Sequence, residues 1–348
     1  MSKTPKHILV IRLSAMGDVA MSVPVINTLI TAHPEVKITI LTRAFFAPFF
    51  ADIPNVTVFV PDLNKKHKGF VGIWKLSKEL LELNIDYVAD LHNVLRSNIL
   101  VKLLRLKVIP VKQIDKGRAQ KKALTSVKNK VFKQLRSTHE RYADVFRDLG
   151  FDLNLEEGKS LSKKPIPNIV SAYIGETGKN LIGIAPFAAH KGKMYPLVKM
   201  EEVISELSKN TATTILLFGG GKSEKVQLDK IANQYDNVLN VTRKFTFQEE
   251  LALISNLDVM LSMDSGNGHL ATMYGVPVVT IWGVTHPYAG FAPYNQTKEN
   301  QILPDMERFP LIPTSIYGNK YPEGYLSCFD TISPNKIIAE IEKRLKVN

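Results

Sequence analysis

Residues 257–282 read LDVMLSMDSGNGHLATMYGVPVVTIW, and the fold turns on this stretch. Residues 257–262 are a short apolar run, and residues 276–282 are a second one rich in β-branched side chains. Both have the length and composition of strands buried on two faces, as in a parallel sheet. Between them residues 269–274 give room for a short helix, closed by Gly275 and Pro277. The order is strand, tight turn, helix, turn, strand. In the turn, Asp264-Ser265-Gly266-Asn267-Gly268, either Asp264 or Ser265 can cap the helix, and the glycines let backbone approach a ligand. A helix start above the carboxyl end of a parallel strand offers free N–H groups and a partial positive charge, which suits a diphosphate. An ordinary βα turn with a capping Asp has the same pattern, and His269 taken alone reads first as a structural helix residue.

Working outward, the same alternation recurs. Residues 8–12, 37–41, 56–60 and 87–90 read as strands, and residues 19–32 and 72–83 as helices with one apolar face. Residues 96–106 and 121–149 read as basic helices, with Trp74 and Phe132 as core candidates. Residues 152–180, rich in Lys, Pro, Glu and Gly, read as a linker. A second series follows: strands at 181–185 and 213–218, a Gly219-Gly220-Gly221 loop, and helices at 197–210, 224–234 and 247–255. Residues 290–330 are irregular, a length that is usually functional, and residues 334–345 form a last helix. The expected class is α/β, with two doubly wound parallel sheets.

Composition agrees. A chain of 348 residues with 45% hydrophobic and 22% charged residues has material for two cores. No apolar run approaches the roughly 18 residues of a membrane span. The first residues lack an apolar leader with a small-residue cleavage site, and the single cysteine, Cys328, excludes an internal disulfide and a cysteine-based zinc site. A cytoplasmic protein is expected. The net charge of +12 sits in the first half: residues 1–175 hold 28 Lys and Arg against 15 Asp and Glu. Residues 96–147 alone hold 15 basic against 3 acidic side chains, which is either a solvated face or a surface for an anionic partner.

Four segments, in order along the chain, resemble glycosyltransferase family 9, the lipopolysaccharide heptosyltransferases. They are ILVIRLSAMGDVAMSVP at 8–24, IGIAPFAAHKGKMYP at 182–196, the D-S-G-x-x-H-L-A turn with its following G-x-P-V-V-x-x-W-G, and CFDTISP at 328–334. The resemblance implies a GT-B architecture of two Rossmann-like domains facing a cleft. An acceptor domain would occupy residues 1–165 and a nucleotide-sugar domain residues 166–333, with a helix at 334–348 packing back on the first domain. It further implies that Asp18 is the general base, taking the proton of the acceptor hydroxyl, with Gly17 leaving space beside it. Read from the residues alone, Asp18 could equally cap the first helix. Lys193 matches the family's K-x-W-P motif, with Tyr195 in place of Trp, and would stabilise the departing diphosphate. Relatives often carry hydroxyl residues where this chain has Ala188 and Ala189, so His190 is a possible substitute donor.

Asp264, Ser265, Gly266 and His269 would contact diphosphate and ribose, although Asn267-Gly268 replaces the usual Pro-Met. Glu224 could bind ribose or serve as a first-turn helix acid, and Phe245 could pack near the base or in the core. Arg96, Lys121 and Lys122 are expected on an acceptor-facing wall. No D-x-D-type cluster is present, so metal-independent inverting transfer is expected, with no cofactor beyond the substrate nucleotide-sugar, an ADP-heptose or relative. The expected partners are that donor and an anionic lipopolysaccharide core or lipid A precursor, with peripheral contact at the inner membrane face and no nucleic acid. Two rivals fit less of the chain: a non-hydrolysing nucleotide-sugar epimerase, which leaves the basic surface unexplained, and a nucleic-acid-binding protein, which lacks any recognisable motif.

Overall fold

The computed structural model describes residues 6–175 and 180–345, and these divide into two compact units. One comprises residues 6–116 and 138–161; the other comprises 117–137 and 162–345. The expected linker, residues 152–180, lies within the described residues except for 176–179, and the last helix except for 346–348.

The first unit is built on β1 (His7–Ile11), β2 (Lys37–Leu41), β3 (Val56–Phe59), β4 (Tyr87–Asp90) and β5 (Val111–Gln113), all parallel, in the order β3-β2-β1-β4-β5. Its helices are α1 (Met16–Ala20), α2 (Ser22–Ala32), α3 (Gly69–Leu81), α4 (Leu95–Arg105) and, after an excursion of the chain, α6 (Thr138–Arg147). Leu9, Ile11, Leu41, Val88 and the inner faces of α3 and α4 share one core. The strand order reverses between β1 and β4. Loops leaving the carboxyl ends of those two strands therefore run apart, leaving a crevice between them, where doubly wound sheets place ligands.

The excursion is α5 (Arg118–Leu124) followed by an extended strap to residue 137, and it belongs to the second unit. A continuous helix over 121–149 was the expectation. Instead the strap binds carbonyls of the second unit: Lys130 Nζ donates to Leu311 and Pro313 oxygens, both at 2.9 Å, and Leu135 N–H donates to the Tyr288 oxygen at 2.9 Å. Those bonds stand in place of a helical ladder, although Val127, Val131 and Leu135 recur at helical spacing; Val127 and Val131 are exposed, so that stripe covers no core.

The second unit continues with α7 (Asn168–Ile174), β6 (Asn180–Ala185), α8 (Leu197–Ser208), β7 (Thr213–Leu217), α9 (Lys222–Ala232), β8 (Val238–Asn240), α10 (Phe247–Ser255), β9 (Val259–Met263), α11 (Gly266–Met273), β10 (Val278–Ile281), β11 (Gln301–Ile302) and α12 (Pro334–Leu345). Its parallel sheet has the order β11-β10-β9-β6-β7-β8, so the reversal lies between β6 and β9. The closing helix packs within its own unit: Ile337, Ile338 and Ile341 of α12 are buried in the second unit's core, against α8, β9 and β10. Trp74 and Phe132 are not core residues either; both are exposed. No helix among the described residues is long and apolar enough to cross a membrane.

Candidate functional site

In the first unit the loops after β1 and β4 flank the reversal of strand order, and they carry a cluster of polar side chains. Asp18 lies in the first turn of α1, three residues beyond the N-cap position, which Ala15 occupies. Its carboxylate accepts the Ala15 N–H at 3.3 Å and faces Arg12 Nη2 at 2.6 Å. Arg12 is 6% exposed, and its Nη1 donates to the Leu91 carbonyl at 2.6 Å, which ties the β1 loop to the β4 loop. The guanidinium lies 5.8 Å from the centroid of the Tyr142 ring. Burial raises the Tyr142 phenol well above its ordinary pKa, so it stays protonated and donates to the Asp18 carbonyl at 3.2 Å.

Beside this pair, His92 is pushed down to about 4, first by burial and then by the Arg12 charge, so it is neutral near pH 7. Its Nδ1 is buried with no partner among the described residues. Asp90 accepts the backbone N–H groups of His92 and Asn93, both at 2.9 Å, and so shapes that loop. Asp18 is thus a fixed, one-third-exposed carboxylate beside a single buried guanidinium. It serves the helix start as an N3 acid and still presents an oxygen outward. Gly17 precedes it within α1, and Arg96 lies exposed in the first turn of α4.

In the second unit the loops after β6 and β9 flank the corresponding reversal. Lys193 Nζ lies 2.7 Å from Asp264 Oδ2, with side-chain exposures of 15% and 6%. The same Asp264 oxygen accepts from Thr285 Oγ1 at 2.9 Å. An ammonium has three donors, so two remain to Lys193 for a ligand after Asp264 takes one. Asp264 does not cap α11; it aims the lysine. Ser265 occupies the N-cap position without making a capping bond, and its hydroxyl is buried with no partner among the described residues. Gly266 opens α11, and His269, buried, follows in the first turn. The start of an eight-residue helix, a hydroxyl and a lysine thus lie at the carboxyl end of β9, a combination suited to phosphate oxygens.

The loop holding Lys193 is pressed from behind. Val284 N–H donates to the Gly192 oxygen at 2.9 Å, and Thr314 N–H donates to the Val284 oxygen at 2.9 Å. A Cβ on Gly192 would collide with the Gly318 carbonyl, and one on Gly318 would collide with the Lys193 stem. The irregular stretch at 290–330 therefore backs the phosphate loop. Tyr195, at the position of the family's Trp, is buried and donates to the Ile332 carbonyl at 2.8 Å. Ala188 stands half-buried and His190 exposed along the same loop.

Glu224 is committed to its own loop: Oε2 accepts the N–H groups of Gly220 at 2.7 Å and Gly221 at 3.2 Å. Phe245 is half-buried, edge-on to Tyr173 at 5.6 Å between centroids. Lys121 and Lys122 stand in α5 and so belong to the second unit, with Lys121 Nζ 4.2 Å from the Phe291 ring centroid. The basic run is therefore not confined to the unit that carries Asp18. Of its 15 basic residues, the seven from Arg118 to Arg136 go with the second unit. Sequence reasoning also missed Arg12, His92 and Thr285: Arg12 is tied to Leu91 and Thr285 to Asp264, each far along the chain, and His92 is brought beside the Arg12 charge by the pairing of β1 with β4. Among the described residues no group of three or more His, Cys, Asp and Glu side chains is arranged to hold a metal ion.

With this geometry in place, comparison with known proteins adds a consistent set of likenesses. The family model described as glycosyltransferase family 9 (heptosyltransferase) matches residues 73–310. The lipopolysaccharide core heptosyltransferase OpsX of Haemophilus influenzae is 24% identical over 84% of this chain and 83% of its own length. In structure, the family 9 glycosyl transferase of Veillonella parvula superposes with a TM-score of 0.76 at 20% identity, covering 100% of this chain and 99% of that one. The ADP-heptose lps heptosyltransferase II of E. coli gives a TM-score of 0.70 at 17% identity, with 98% of both chains covered. These superpositions place the two α/β units in the GT-B class.

Proposed function

The chain belongs to glycosyltransferase family 9, the heptosyltransferases, and from that premise we propose an inverting transfer of heptose from ADP-heptose to the core saccharide of a lipopolysaccharide precursor. That it is a glycosyltransferase follows from the family; the donor, the acceptor and the residue roles are our reading. The observation carrying it is the Lys193–Asp264–Thr285 triad beside the start of α11. It is a site for a diphosphate leaving group, and it uses a lysine and helix N–H groups as its positive charge.

In this reading Asp18 accepts the proton of an acceptor hydroxyl as its oxygen attacks the anomeric carbon. The bond from that carbon to the diphosphate oxygen breaks on the opposite face, and its electron pair leaves with ADP. Negative charge grows on the leaving oxygen during this step, so a lysine aimed there stabilises the transition state more than the ground state. Arg12 and the Ala15 N–H keep the carboxylate in place. Lys193 and α11 take the electrostatic role that a divalent cation fills elsewhere, and the transfer is proposed to need no metal. The acceptor is membrane-borne and met at the cytoplasmic face. A thermal-shift series with ADP, UDP, GDP and CMP tests the nucleotide, since selective binding to the folded state stabilises it by about 2.7 kcal/mol at a hundredfold excess over Kd. Release of ADP from ADP-heptose, with and without acceptor, tests the transfer. Turnover that ignores the acceptor would favour the epimerase-like reading, which the family match otherwise disfavours.

A further inference from the structure

One face of α3 packs Ile73, Leu76 and Leu80 into the first unit's core, but the opposite face is apolar as well. Phe70 is 65% exposed, Val71 62% and Trp74 43%. At i, i+1 and i+4 these three form one contiguous patch at the start of the helix. Around it stand Lys65, Lys66, Lys68, Lys75 and Lys78, all exposed, with Lys78 Nζ 3.7 Å from the Trp74 ring centroid. Of the nearby acids Glu82 stands exposed at the end of α3, whereas Asp62, also exposed, and the half-buried Glu79 are taken up by local partners. Asp62 accepts backbone N–H groups from Asn64, Lys65 and Lys66, and Glu79 pairs with Lys66 at 2.9 Å and His67 at 3.1 Å. The turn bearing the lysines is firmly held, because a Cβ on Gly72 would collide with the His67 backbone and Asp62 N–H donates to His67 Nδ1 at 3.0 Å.

We propose that this surface docks the protein on an anionic lipid bilayer, with Phe70, Val71 and Trp74 set into the headgroup–acyl boundary and the lysines over lipid phosphates. The proposal rests on the reading that the acceptor is membrane-borne. Interfacial helices combine a Trp- and Phe-bearing apolar face with flanking lysines, and anionic headgroups supply the complementary charge. The three side chains together offer on the order of 300 Å², well under the roughly 800 Å² per partner of a stable protein interface. A second copy of the chain would oppose lysines to lysines.

Trp74 makes the test direct. The chain has two tryptophans, and the other, Trp282, is 1% exposed, so a change in emission on binding reports Trp74. Titrating the full chain with phosphatidylglycerol-containing vesicles should shift its emission to the blue, and phosphatidylcholine vesicles should not. Phe70→Ser with Val71→Ser should lower the partition coefficient on the order of tenfold, with the far-ultraviolet dichroism unchanged. Lys65→Glu and Lys68→Glu should lower it by about fivefold for each lysine lost. Transfer to an acyl-free, water-soluble acceptor should be the same in wild type and the Phe70/Val71 variant. Unchanged Trp74 emission with anionic vesicles, or equal binding by the variants, overturns the proposal. Concentration-dependent self-association that shields Trp74 from iodide also overturns it, in favour of a second copy. Absence of transfer by the wild type to the soluble acceptor would overturn the enzymatic reading, and vesicle binding is scored independently of that result.

Discussion

In Lys193→Ala the ammonium that faces Asp264 at 2.7 Å is removed, and the carboxylate stays behind with its side chain 6% exposed. A buried charge stripped of its partner costs about 3–5 kcal/mol. Thr285 still donates to the same oxygen at 2.9 Å, which keeps the expected loss near the lower end, about 3 kcal/mol. At roughly 2–4 °C per kcal/mol for a domain of this size, the melting transition should fall by about 6–12 °C. Lys193→Met combined with Asp264→Asn removes both charges, keeps an acceptor for Thr285 and leaves an unbranched stem lying on Gly318. That double variant should recover most of the loss. Neither protein should bind ADP well: losing a charge-assisted hydrogen bond to phosphate weakens it by about 10- to 100-fold. Thermal unfolding gives the first quantity and isothermal titration with ADP the second. If the double variant melts as low as the single one, the stranded carboxylate is not the cause. If ADP affinity returns in the double variant, Lys193 is not the cation of the diphosphate and the donor site lies elsewhere.

Asp18→Asn should cut turnover on the order of 10²- to 10⁴-fold, as loss of a general base does, with ADP affinity unchanged; near-normal turnover would leave Asp18 as the N3 acid of α1 alone. His92 sits at about 4 against an ordinary 6.5, so on acidification the unfolded chain takes up a proton first. Stability is then full above about pH 6.5 and falls by up to about 3 kcal/mol towards pH 4. His286, held at about 4 by burial and the Lys130 charge, adds a second loss of the same sign. Urea unfolding across that window should show the decline, with a shallower slope in His92→Gln; an identical slope there would contradict the assignment. Raising salt should increase the Michaelis constant for a phosphorylated acceptor more than that for the donor, and Lys122→Glu should blunt the difference. Equal slopes in both proteins would reduce α5 and its strap to a solvated surface.

Much of this was legible in the sequence because strands buried on two faces announce themselves by continuous apolar runs. The residues that follow such strands were legible for the same reason. Asp18 follows β1, Lys193 follows β6 and Asp264 follows β9, each within a short glycine-bearing turn, and a local reading reaches all three. α10 and α12 were equally plain, each read from the sequence over the residues it occupies, 247–255 and 334–345. What holds the functional residues in place was not legible. Arg12 ends a strand in a way any arginine could, and only the adjacency of β1 and β4 brings Leu91 to its guanidinium. Thr285 and Gly318 reach Asp264 and Lys193 from segments with no periodicity of their own. The failures at 121–149 and at Trp74 have one source. Charge density and amphipathic spacing mark a surface but do not say which unit covers it, or whether anything does. The strap was taken by the carbonyls of residues 288, 311 and 313, whereas the outer face of α3 met no such partner and kept its tryptophan in the open. Strand order, which no short motif encodes, therefore decides which loops stand together, and those loops in turn decide which lysines are bound within the protein and which remain available to a ligand.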